Sequence, residues 1–315
     1  MRYLVTGGAG FIGSHLSNLL VEGGHEVVVV DDMSTGKVDN LLSAGVRLVP
    51  MNTANYEAMI VEAQHADWII HLAATVGVKN TMDKTPQLIN NNINNTDMMF
   101  RIAAMLDKPI FFASTSEAYG NSPDIPFKET TKSVFGSPDV IRWSYGQSKA
   151  MGEALANFYQ KDRGLKFITG RIFNSVGPRQ SGEYGSVLPR FINSAVENKS
   201  LSIYGSGLQT RSFCHVSDTA RAIYMLTQSG RFGEAYNIGG SKEISILSLA
   251  DTVIRQLQSM STVSFIDYDI AYGPGYEDIS RRIADTTKIR EHTGWEPEYS
   301  LEQIINDIAK EYNGD

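Results

Sequence analysis

Residues 1–13, Met1-Arg-Tyr-Leu-Val-Thr-Gly-Gly-Ala-Gly-Phe-Ile-Gly13, combine a short apolar strand, three glycines spaced three apart and the first turn of a helix. We expect the absent side chains to permit a tight turn at Gly7, a close approach of the backbone to phosphate at Gly10 and helix–strand packing at Gly13. A diphosphate then lies at the helix N-terminus, where unpaired N–H groups favour negative charge. The stretch predicts a strand–turn–helix unit that holds a dinucleotide.

The flanking sequence agrees with this prediction. Apolar residues recur at helical spacing between residues 12 and 20, and Glu26–Val30 reads as a buried parallel strand. Asp31 follows that strand, where an acidic residue binds the adenosine ribose diol. Its carboxylate repels a 2′-phosphate, and residues 32–34 supply no arginine to offset it, which favours NAD over NADP. A loop aspartate that caps its own turn is the alternative.

Composition bounds the class of protein. The 315 residues, 42% hydrophobic and 20% charged, suffice for a large core and two lobes. The 28 basic and 35 acidic side chains include no basic run, which disfavours a nucleic-acid or membrane-surface role. The apolar stretches are strand-sized and the chain enters a strand at once, so we predict neither a membrane span nor a signal peptide. The single cysteine, Cys214, excludes an internal disulfide and predicts a small buried residue and a cytoplasmic protein.

Strand and helix patterns alternate up to about residue 170, which predicts an α/β, Rossmann-type doubly wound parallel sheet. Beyond residue 175 the pattern loosens into a smaller α/β C-terminal substrate lobe. We therefore divide the chain into a dinucleotide-binding domain, residues 1–175, and a substrate lobe, residues 176–315, from which some chain crosses back to the sheet. The predicted strands lie near residues 3–5, 27–30, 46–50, 68–71, 110–113 and 167–171. The predicted helices between these strands lie near residues 11–22, 56–63, 88–106 and 145–162, and shorter helices of the second lobe lie near residues 187–198, 217–229, 246–259 and 301–312.

A second motif carries chemistry. In Tyr145-Gly-Gln-Ser-Lys149 a spacing of four residues places the phenol and the ammonium on one face of a helix. The ordinary tyrosine pKa of about 10 is too high for a base at neutral pH, and a nearby cation lowers it. Alone, such a pair is a common surface feature, but within a dinucleotide-binding fold it indicates a catalytic base.

Together the motifs resemble the extended short-chain dehydrogenase/reductases of the nucleotide-sugar epimerase, dehydratase and decarboxylase group. The resemblance runs nearly end to end. The matching segments are Thr6–Gly13, His71–Ala74, Ser114–Gly120, Tyr145 with Lys149, Arg171–Pro178, Tyr204–Phe213, Tyr236–Gly239 and Gly294–Pro297. They are highly specific for the family and much less specific for the reaction.

The resemblance implies a catalytic trio, Thr115, Tyr145 and Lys149, with bound NAD as a recycled oxidant. Tyr145 takes the proton of the sugar 4-hydroxyl, Thr115 hydrogen-bonds the same oxygen, and Lys149 holds the nicotinamide ribose and lowers the Tyr145 pKa. The implied cofactor residues are Gly7, Gly10, Phe11, Ile12, Gly13, Asp31, Asp32, Asn52, Leu72, Ala73, Ala74, Tyr145 and Lys149. Asn52 stands where relatives commonly have a carboxylate near the adenine.

The implied 4-keto sugar leads to three outcomes: 4-epimerisation, decarboxylation of a neighbouring carboxylate, or 4,6-dehydration. Glu117 bears on the choice, because a simple epimerase needs no second acid or base beside Thr115. Decarboxylases resembling this chain share its Ser-Thr-Ser-Glu run, and so do GDP-mannose dehydratases. Many other dehydratases have an aspartate where this sequence has Ser116. A purely structural Glu117 is the alternative.

The segment Tyr272–Arg282 resembles the part of UDP-glucuronate decarboxylases that brings an arginine to the sugar carboxylate, and Arg282 matches that arginine. Epimerases of the group also carry an arginine here for the diphosphate, so both roles stay open. We predict a UDP-glucuronate decarboxylase, with a UDP-sugar 4-epimerase and then a 4,6-dehydratase as alternatives. A non-catalytic NAD-sensing protein is the alternative outside the enzymes, although such proteins typically lose the tyrosine or the lysine.

The resemblance also implies a nucleotide-diphosphate sugar, with UDP as the expected nucleotide, and a homodimer formed through the helices near 88–106 and 145–162. The implied substrate residues are Ser116, Asn174, Leu188, Phe191, Tyr204, Arg211 and Arg282. The six histidines show no ligand spacing, so we predict no metal site, and His71 is expected to be structural.

Overall fold

The computed structural model describes residues 1–181, 186–273 and 276–313 of the chain. Within these residues the strands are β1 (Arg2–Thr6), β2 (Glu26–Asp31), β3 (Val46–Pro50), β4 (Trp68–His71), β5 (Ile110–Thr115), β6 (Phe167–Ile172), β7 (Ser175–Val176), β8 (Leu201–Tyr204), β9 (Thr210–Ser212), β10 (Cys214–His215), β11 (Glu234–Ile238), β12 (Glu243–Ser245), β13 (Val263–Ile266) and β14 (Arg281–Arg282).

The helices of the same residues are α1 (Phe11–Glu22), α2 (Tyr56–Gln64), α3 (Val78–Asp83), α4 (Thr85–Met105), α5 (Ser144–Arg163), α6 (Val187–Val196), α7 (Val216–Ser229), α8 (Ile246–Gln256), α9 (Tyr268–Tyr272), α10 (Thr287–Thr293) and α11 (Leu301–Asn313). Short 3-10 helices cover Val38–Asn40, Ser116–Tyr119 and Ile141–Trp143.

Seven parallel strands form the central sheet in the order β11-β6-β5-β4-β1-β2-β3. The predicted doubly wound parallel sheet is confirmed. The strand order reverses between β1 and β4, and ligands of such sheets bind outside the carboxyl ends of the strands at that point. The seventh strand, β11, comes from the second half of the chain and pairs with β6.

The sheet is buried on both faces, which explains the unbroken apolar run of β2. Val27 and Val29 pack with α1 and α7 on one face, and Val28 and Val30 pack with α2 and α4 on the other. All four valines are at most 1% exposed. A parallel strand covered by helices on both sides needs apolar residues at every position, not at alternate ones.

A third apolar core lies in the second half of the chain, where α6, α8 and α11 pack together with β8. Beside it a small sheet joins β9 to β12 and β14, and its register pairs Arg282 with Arg211. This pairing brings two arginines from distant parts of the sequence to one place. No helix of the described residues is long and apolar enough to cross a membrane.

Candidate active site

The glycine turn after β1 is closely packed. Gly7 has a positive φ of 71°, and a side chain there would come within 2.8 Å of the Ala73 backbone nitrogen. A side chain at Gly13 would overlap the carbonyl oxygen of Gly7. Gly10 is the N-cap of α1, and its carbonyl accepts a hydrogen bond from the Ser14 N–H at 3.0 Å. The turn therefore leaves the first N–H groups of α1 facing the carboxyl edge of the sheet, as a diphosphate requires.

Asp31 ends β2 with its carboxylate held by two backbone N–H groups. Ala9 donates to Oδ2 and Met33 donates to Oδ1, both at 2.9 Å. Each carboxylate oxygen keeps a further lone pair for a hydroxyl donor, as a ribose diol supplies. Nearby, the Asn52 side-chain amide donates to Asp32 Oδ2 at 3.1 Å.

All the cofactor residues expected from the sequence border one cleft along the carboxyl edge of the sheet. They are Gly7, Gly10, Phe11, Ile12, Gly13, Asp31, Asp32, Asn52, Leu72, Ala73, Ala74, Tyr145 and Lys149. The glycine turn after β1 leaves space that side chains would otherwise fill, and Asp31 offers a carboxylate suited to a diol. Both features suit an adenine dinucleotide. Their individual roles stay predictions.

Tyr145 stands in the first turn of α5 and meets Thr115, the last residue of β5. The side chain of Thr115 lies close enough to the Tyr145 hydroxyl to oppose the rise in its pKa. Tyr145 borders both the dinucleotide cleft and a second cavity, as does Asn174. The phenol is therefore placed where two ligands, one in each cavity, would meet.

Lys149, one turn further along α5, is 3% exposed, and its Nζ donates to the Ala113 carbonyl oxygen at 2.9 Å. Burial lowers the pKa of Lys149 to about 8, with the nearby charge of Glu153 opposing that shift. The pKa of Tyr145 is raised above its ordinary value by burial and by the negative charge of Glu117. This differs from the expected lowering by Lys149, because in this arrangement the ammonium is directed to a backbone carbonyl.

Glu117 lies in the 3-10 helix that follows β5 and is clamped by two guanidinium groups. Arg142 Nη1 donates to Oε2 at 2.6 Å, and Arg282 Nη1 donates to Oε1 at 3.1 Å. Burial alone would raise the pKa of Glu117, but the charges and hydrogen bonds of both arginines lower it to about 2. Glu117 is therefore an anion at neutral pH. An acid–base role for it stays a prediction.

Arg282 joins this anion to Asn174, one of the substrate residues expected from the sequence. Its Nη2 donates to Asn174 Oδ1 at 2.6 Å, while Asn174 donates to the Ser212 carbonyl at 2.8 Å. Within the described residues the buried Nε of Arg282 has no hydrogen-bond partner. An arginine with a spare buried donor is suited to a further acceptor, and a carboxylate is its best-matched one.

The second cavity collects most, but not all, of the expected substrate residues. Those that border it are Asn174, Leu188, Tyr204, Arg211 and Arg282, together with Glu117 and Tyr145. Phe191 is fully buried in the core of α6 and α8, because its position on α6 faces inward. Ser116 is 2% exposed and lies outside the lining of both cavities.

The structure adds residues that the sequence reasoning did not single out. Arg142 precedes Tyr145 by three residues, and its Nε donates to the Tyr276 hydroxyl at 3.2 Å. Arg190 stacks over the ring of Tyr204 with its guanidinium carbon 4.0 Å from the centroid. Tyr272 and Tyr276 stack with centroids 4.3 Å apart. Arginines flanked by aromatic rings are one available signal for such a site.

The charge of the second cavity is positive. Its described lining contains four arginines, namely Arg142, Arg190, Arg211 and Arg282, and two carboxylates, Glu117 and Asp278. One of these carboxylates is committed to Arg211, whose Nη2 donates to Asp278 Oδ1 at 2.9 Å. The excess positive charge suits an anionic ligand such as a nucleoside diphosphate carrying a sugar.

Comparison with known sequences places the whole chain among nucleotide-sugar enzymes. The family described as GDP-mannose 4,6 dehydratase matches residues 4–308. A Bacillus cytotoxicus protein named UDP-N-acetyl-alpha-D-glucosaminuronate decarboxylase is 38% identical, over 98% of this chain and 97% of its own length.

Two solved structures share the fold over the full chain. UDP-glucose 4-epimerase of Thermotoga maritima, solved with UDP-glucose, gives a TM-score of 0.91 at 28% identity and covers 100% of this chain and 99% of its own. The dTDP-glucose 4,6-dehydratase of Streptomyces venezuelae, solved with NAD and TYD bound, gives 0.89 at 27% identity, covering 100% of this chain and 98% of its own.

Proposed function

The chain belongs to the GDP-mannose 4,6-dehydratase family of extended short-chain dehydrogenase/reductases, and we propose that it decarboxylates a UDP-hexuronate. It is an NAD-dependent enzyme that acts on a nucleotide sugar through a transient 4-keto intermediate. UDP-glucuronate is the substrate expected from the sequence, and the 38% identical relative adds UDP-N-acetylglucosaminuronate.

One observation carries the choice of decarboxylation: Arg282, which has an unpaired buried Nε, lies beside Glu117 in the cavity that Tyr145 borders. A sugar whose 4-hydroxyl meets Tyr145 carries its carbon-6 group two carbons away, within one sugar ring of the phenol. A guanidinium at that distance binds a carboxylate better than it binds a hydroxymethyl group. The excess of arginines over carboxylates in the described lining of the cavity also favours a uronate substrate.

The residues of the site then have distinct tasks. Tyr145 accepts the proton of the 4-hydroxyl, and Thr115 holds the same oxygen through its hydroxyl. NAD held in the dinucleotide cleft would supply the oxidising power at carbon 4 and, in its reduced form, the hydride that restores the 4-hydroxyl after carbon dioxide has left. Once that carbon is a ketone, the carbon 5–carbon 6 bond breaks, its electron pair moves onto the ketone oxygen and carbon dioxide leaves. Arg282 orients the carboxylate before that step, and carbon 5 then takes up a proton in place of the carboxyl group it has lost.

The same geometry disfavours 4,6-dehydration. That reaction needs a base at carbon 5 and an acid at the 6-hydroxyl, and Glu117, whose pKa two arginines lower to about 2, is a weak base with no proton to donate. Ser116 stands where many dehydratases have an aspartate. A 4-epimerase remains the second candidate, because Thr115, Tyr145 and Lys149 suffice for it and the Thermotoga maritima epimerase has the same fold.

Product analysis tests the assignment. The purified protein is incubated with NAD and, separately, with UDP-glucuronate, UDP-N-acetylglucosaminuronate, UDP-glucose, UDP-N-acetylglucosamine and GDP-mannose. We expect release of carbon dioxide and a UDP-pentose from at least one uronate. Formation of UDP-galacturonate or UDP-galactose without carbon dioxide would assign the 4-epimerase, and a 4-keto-6-deoxy sugar would assign the dehydratase.

We further propose a homodimer located in the cytoplasm. Met151 and Phe158 on the outer face of α5 are 52% and 57% exposed, and their spacing of seven residues places them on one stripe. A second copy of the same helix pair, α4 and α5, would cover that stripe. The single buried thiol of Cys214 supports a reducing compartment.

A further inference from the structure

Arg142 is a buried cation in the lining of the second cavity, and none of the chemical steps proposed above is assigned to it. It is 4% exposed, and its Nη1 lies 2.6 Å from Glu117 Oε2. Its Nε reaches the hydroxyl of Tyr276 at 3.2 Å. A guanidinium buried in this way is costly unless it is paired, so the pair with Glu117 must be maintained for the site to keep its shape.

Glu117, held by Arg142, in turn restricts the position of Arg282. Its two carboxylate oxygens are divided, Oε2 to Arg142 and Oε1 to Arg282 at 3.1 Å. A carboxylate that is fixed on one side presents its second oxygen in a defined direction. Arg282 is thereby held at one end by Glu117 and at the other by Asn174, at 2.6 Å.

The charges of this group do not balance. Two guanidiniums face one carboxylate, so the row Arg142–Glu117–Arg282 has one uncompensated positive charge. Within the described part of the chain the Nε of Arg282 is the donor in this row that is buried without a partner. One additional carboxylate at Arg282 would give an alternating row of two cations and two anions.

We propose that Arg142 is a positioning residue for uronate recognition: by fixing Glu117 as an anion it fixes Arg282 with one N–H donor free for the sugar carboxylate. The proposal rests on the proposed function and specifies how the site distinguishes a uronate from a neutral hexose. Without Arg142 the remaining pair, Glu117 and Arg282, is electrically neutral, and Glu117 competes with the substrate for Arg282. Affinity for the sugar carboxylate then falls, whereas contacts to the nucleotide are unchanged.

Binding measurements on the full-length, NAD-loaded protein test this. All variants carry Tyr145→Phe to prevent turnover, and dissociation constants are measured by calorimetry for UDP-glucuronate and for UDP-glucose, which lacks the charge. We expect Arg142→Met to weaken UDP-glucuronate binding about 10-fold or more, as for a lost charged contact, and to change UDP-glucose binding less than about 2-fold. Arg142→Lys should fall between, because it keeps the charge but not the forked geometry.

A double-mutant comparison separates this role from simple loss of structure. In a Glu117→Gln background the competing anion is absent, so adding Arg142→Met should weaken UDP-glucuronate binding much less than it does alone. Removing Arg142 takes away one of the two guanidiniums that lower the Glu117 pKa, so that pKa should rise, and the Arg142→Met protein should bind UDP-glucuronate more tightly as the pH is lowered from 7. The parent should show no such trend.

The outcomes are distinct. Equal weakening of both ligands, or an unchanged Arg142→Met effect in the Glu117→Gln background, would overturn the positioning role. If Arg142→Met does not fold, Arg142→Lys decides: a loss confined to UDP-glucuronate supports the role, and an equal loss for both ligands overturns it. A parent protein that binds both sugars equally and releases no carbon dioxide would instead overturn the proposed function, before any variant is considered.

Discussion

Lys149 Nζ and the carbonyl oxygen of Ala113 lie 2.9 Å apart, which joins the helix that carries Tyr145 to the strand that carries Thr115. The ammonium has three donors and this bond uses one. Lys149 also borders the dinucleotide cleft, so its remaining donors are available to the hydroxyl groups of a bound ribose. We therefore propose that Lys149 has a structural partner, the Ala113 carbonyl, and a functional one, the cofactor ribose.

Replacing Lys149 by Met should remove catalysis and change how stability depends on pH. Burial lowers the pKa of Lys149 from 10.5 to about 8, so the folded protein binds fewer protons than the unfolded chain between those values. Wild-type stability should therefore rise relative to Lys149→Met from pH 8 to 10, by up to about 3 kcal/mol. Urea unfolding at each pH measures this, with Lys149→Arg as a control that does not titrate. A constant difference would contradict the prediction.

Glu117→Gln should lower stability at neutral pH, because it removes the shared partner of two buried arginines. Both arginines hold the pKa of Glu117 at about 2 against a usual 4.5, so the carboxylate stabilises the fold above pH 4.5 and that contribution fades as the pH falls towards 2. The wild-type advantage should be on the order of 3 kcal/mol at pH 7 and begin to shrink below pH 4.5. An advantage that grows on acidification would show the opposite linkage.

The same substitution also separates the candidate reactions. Decarboxylation depends on Arg282 being held beside the sugar, so Glu117→Gln should reduce carbon dioxide release by a factor of about 100 or more, as for other lost positioning groups. Epimerisation needs only Thr115, Tyr145 and Lys149 and should persist. Rates of product formation from each UDP-sugar provide the measurement. Full decarboxylase activity in the variant would exclude the role assigned to Glu117.

Tyr145→Phe should stop every candidate reaction, because Tyr145 is the group that we propose to accept the proton of the 4-hydroxyl. The loss should be about 1,000-fold or more, in line with the removal of a general base together with its hydrogen bond. NAD affinity should change little, since the glycine turn and Asp31 are untouched. The matched control is Tyr119→Phe, a buried tyrosine whose hydroxyl donates to Asn237 at 2.7 Å. Activity that survives in Tyr145→Phe would move the base to another residue.

Most of the central sheet could be predicted from the sequence because the apolar run of each strand and the glycines beside it are local patterns. The run Glu26–Val30 and the glycines around it carry their own geometry, and both were placed correctly. Strand β11 was not predicted as a strand. It is a short segment, and its place at the edge of the sheet beside β6 depends on a pairing across some 65 residues, which no local pattern reports.

The candidate site divides in the same way. Residues fixed by a motif, such as Tyr145 and Lys149, both border the cleft that the motif implies. The contact between Arg142 and Glu117, and that of Arg282 with Asn174, join segments up to 108 positions apart and appear only when the chain is folded. Phe191, predicted as a substrate contact, is buried in a core, and the sequence could not separate the two because an aromatic residue on an amphipathic helix has the same pattern in a core as in a cavity.

Asp31→Asn should weaken the preference for NAD over NADP. The carboxylate oxygens of Asp31 accept hydrogen bonds from Ala9 and Met33 and keep lone pairs for a diol, while their charge repels a 2′-phosphate. We expect NAD affinity to fall about 10-fold and NADP affinity to stay level or rise, so the ratio of the two dissociation constants narrows. Fluorescence titration with both dinucleotides measures the ratio, with Asp32→Asn as the neighbouring control. An unchanged ratio would remove Asp31 from the discrimination.

The proposed homodimer predicts that one charge on the outer face of α5 separates the subunits. Phe158→Glu places a carboxylate in the stripe that Phe158 forms with Met151, and burying an unpaired charge at an interface costs several kcal/mol. Light scattering should find two copies in the wild type and one in the variant, with the fold retained by circular dichroism. Phe265 on β13 has a side chain about as exposed as that of Phe158, so the Phe265→Glu variant should remain a dimer. A monomeric wild type would contradict the proposed dimer. A dimeric Phe158→Glu variant would place the interface elsewhere.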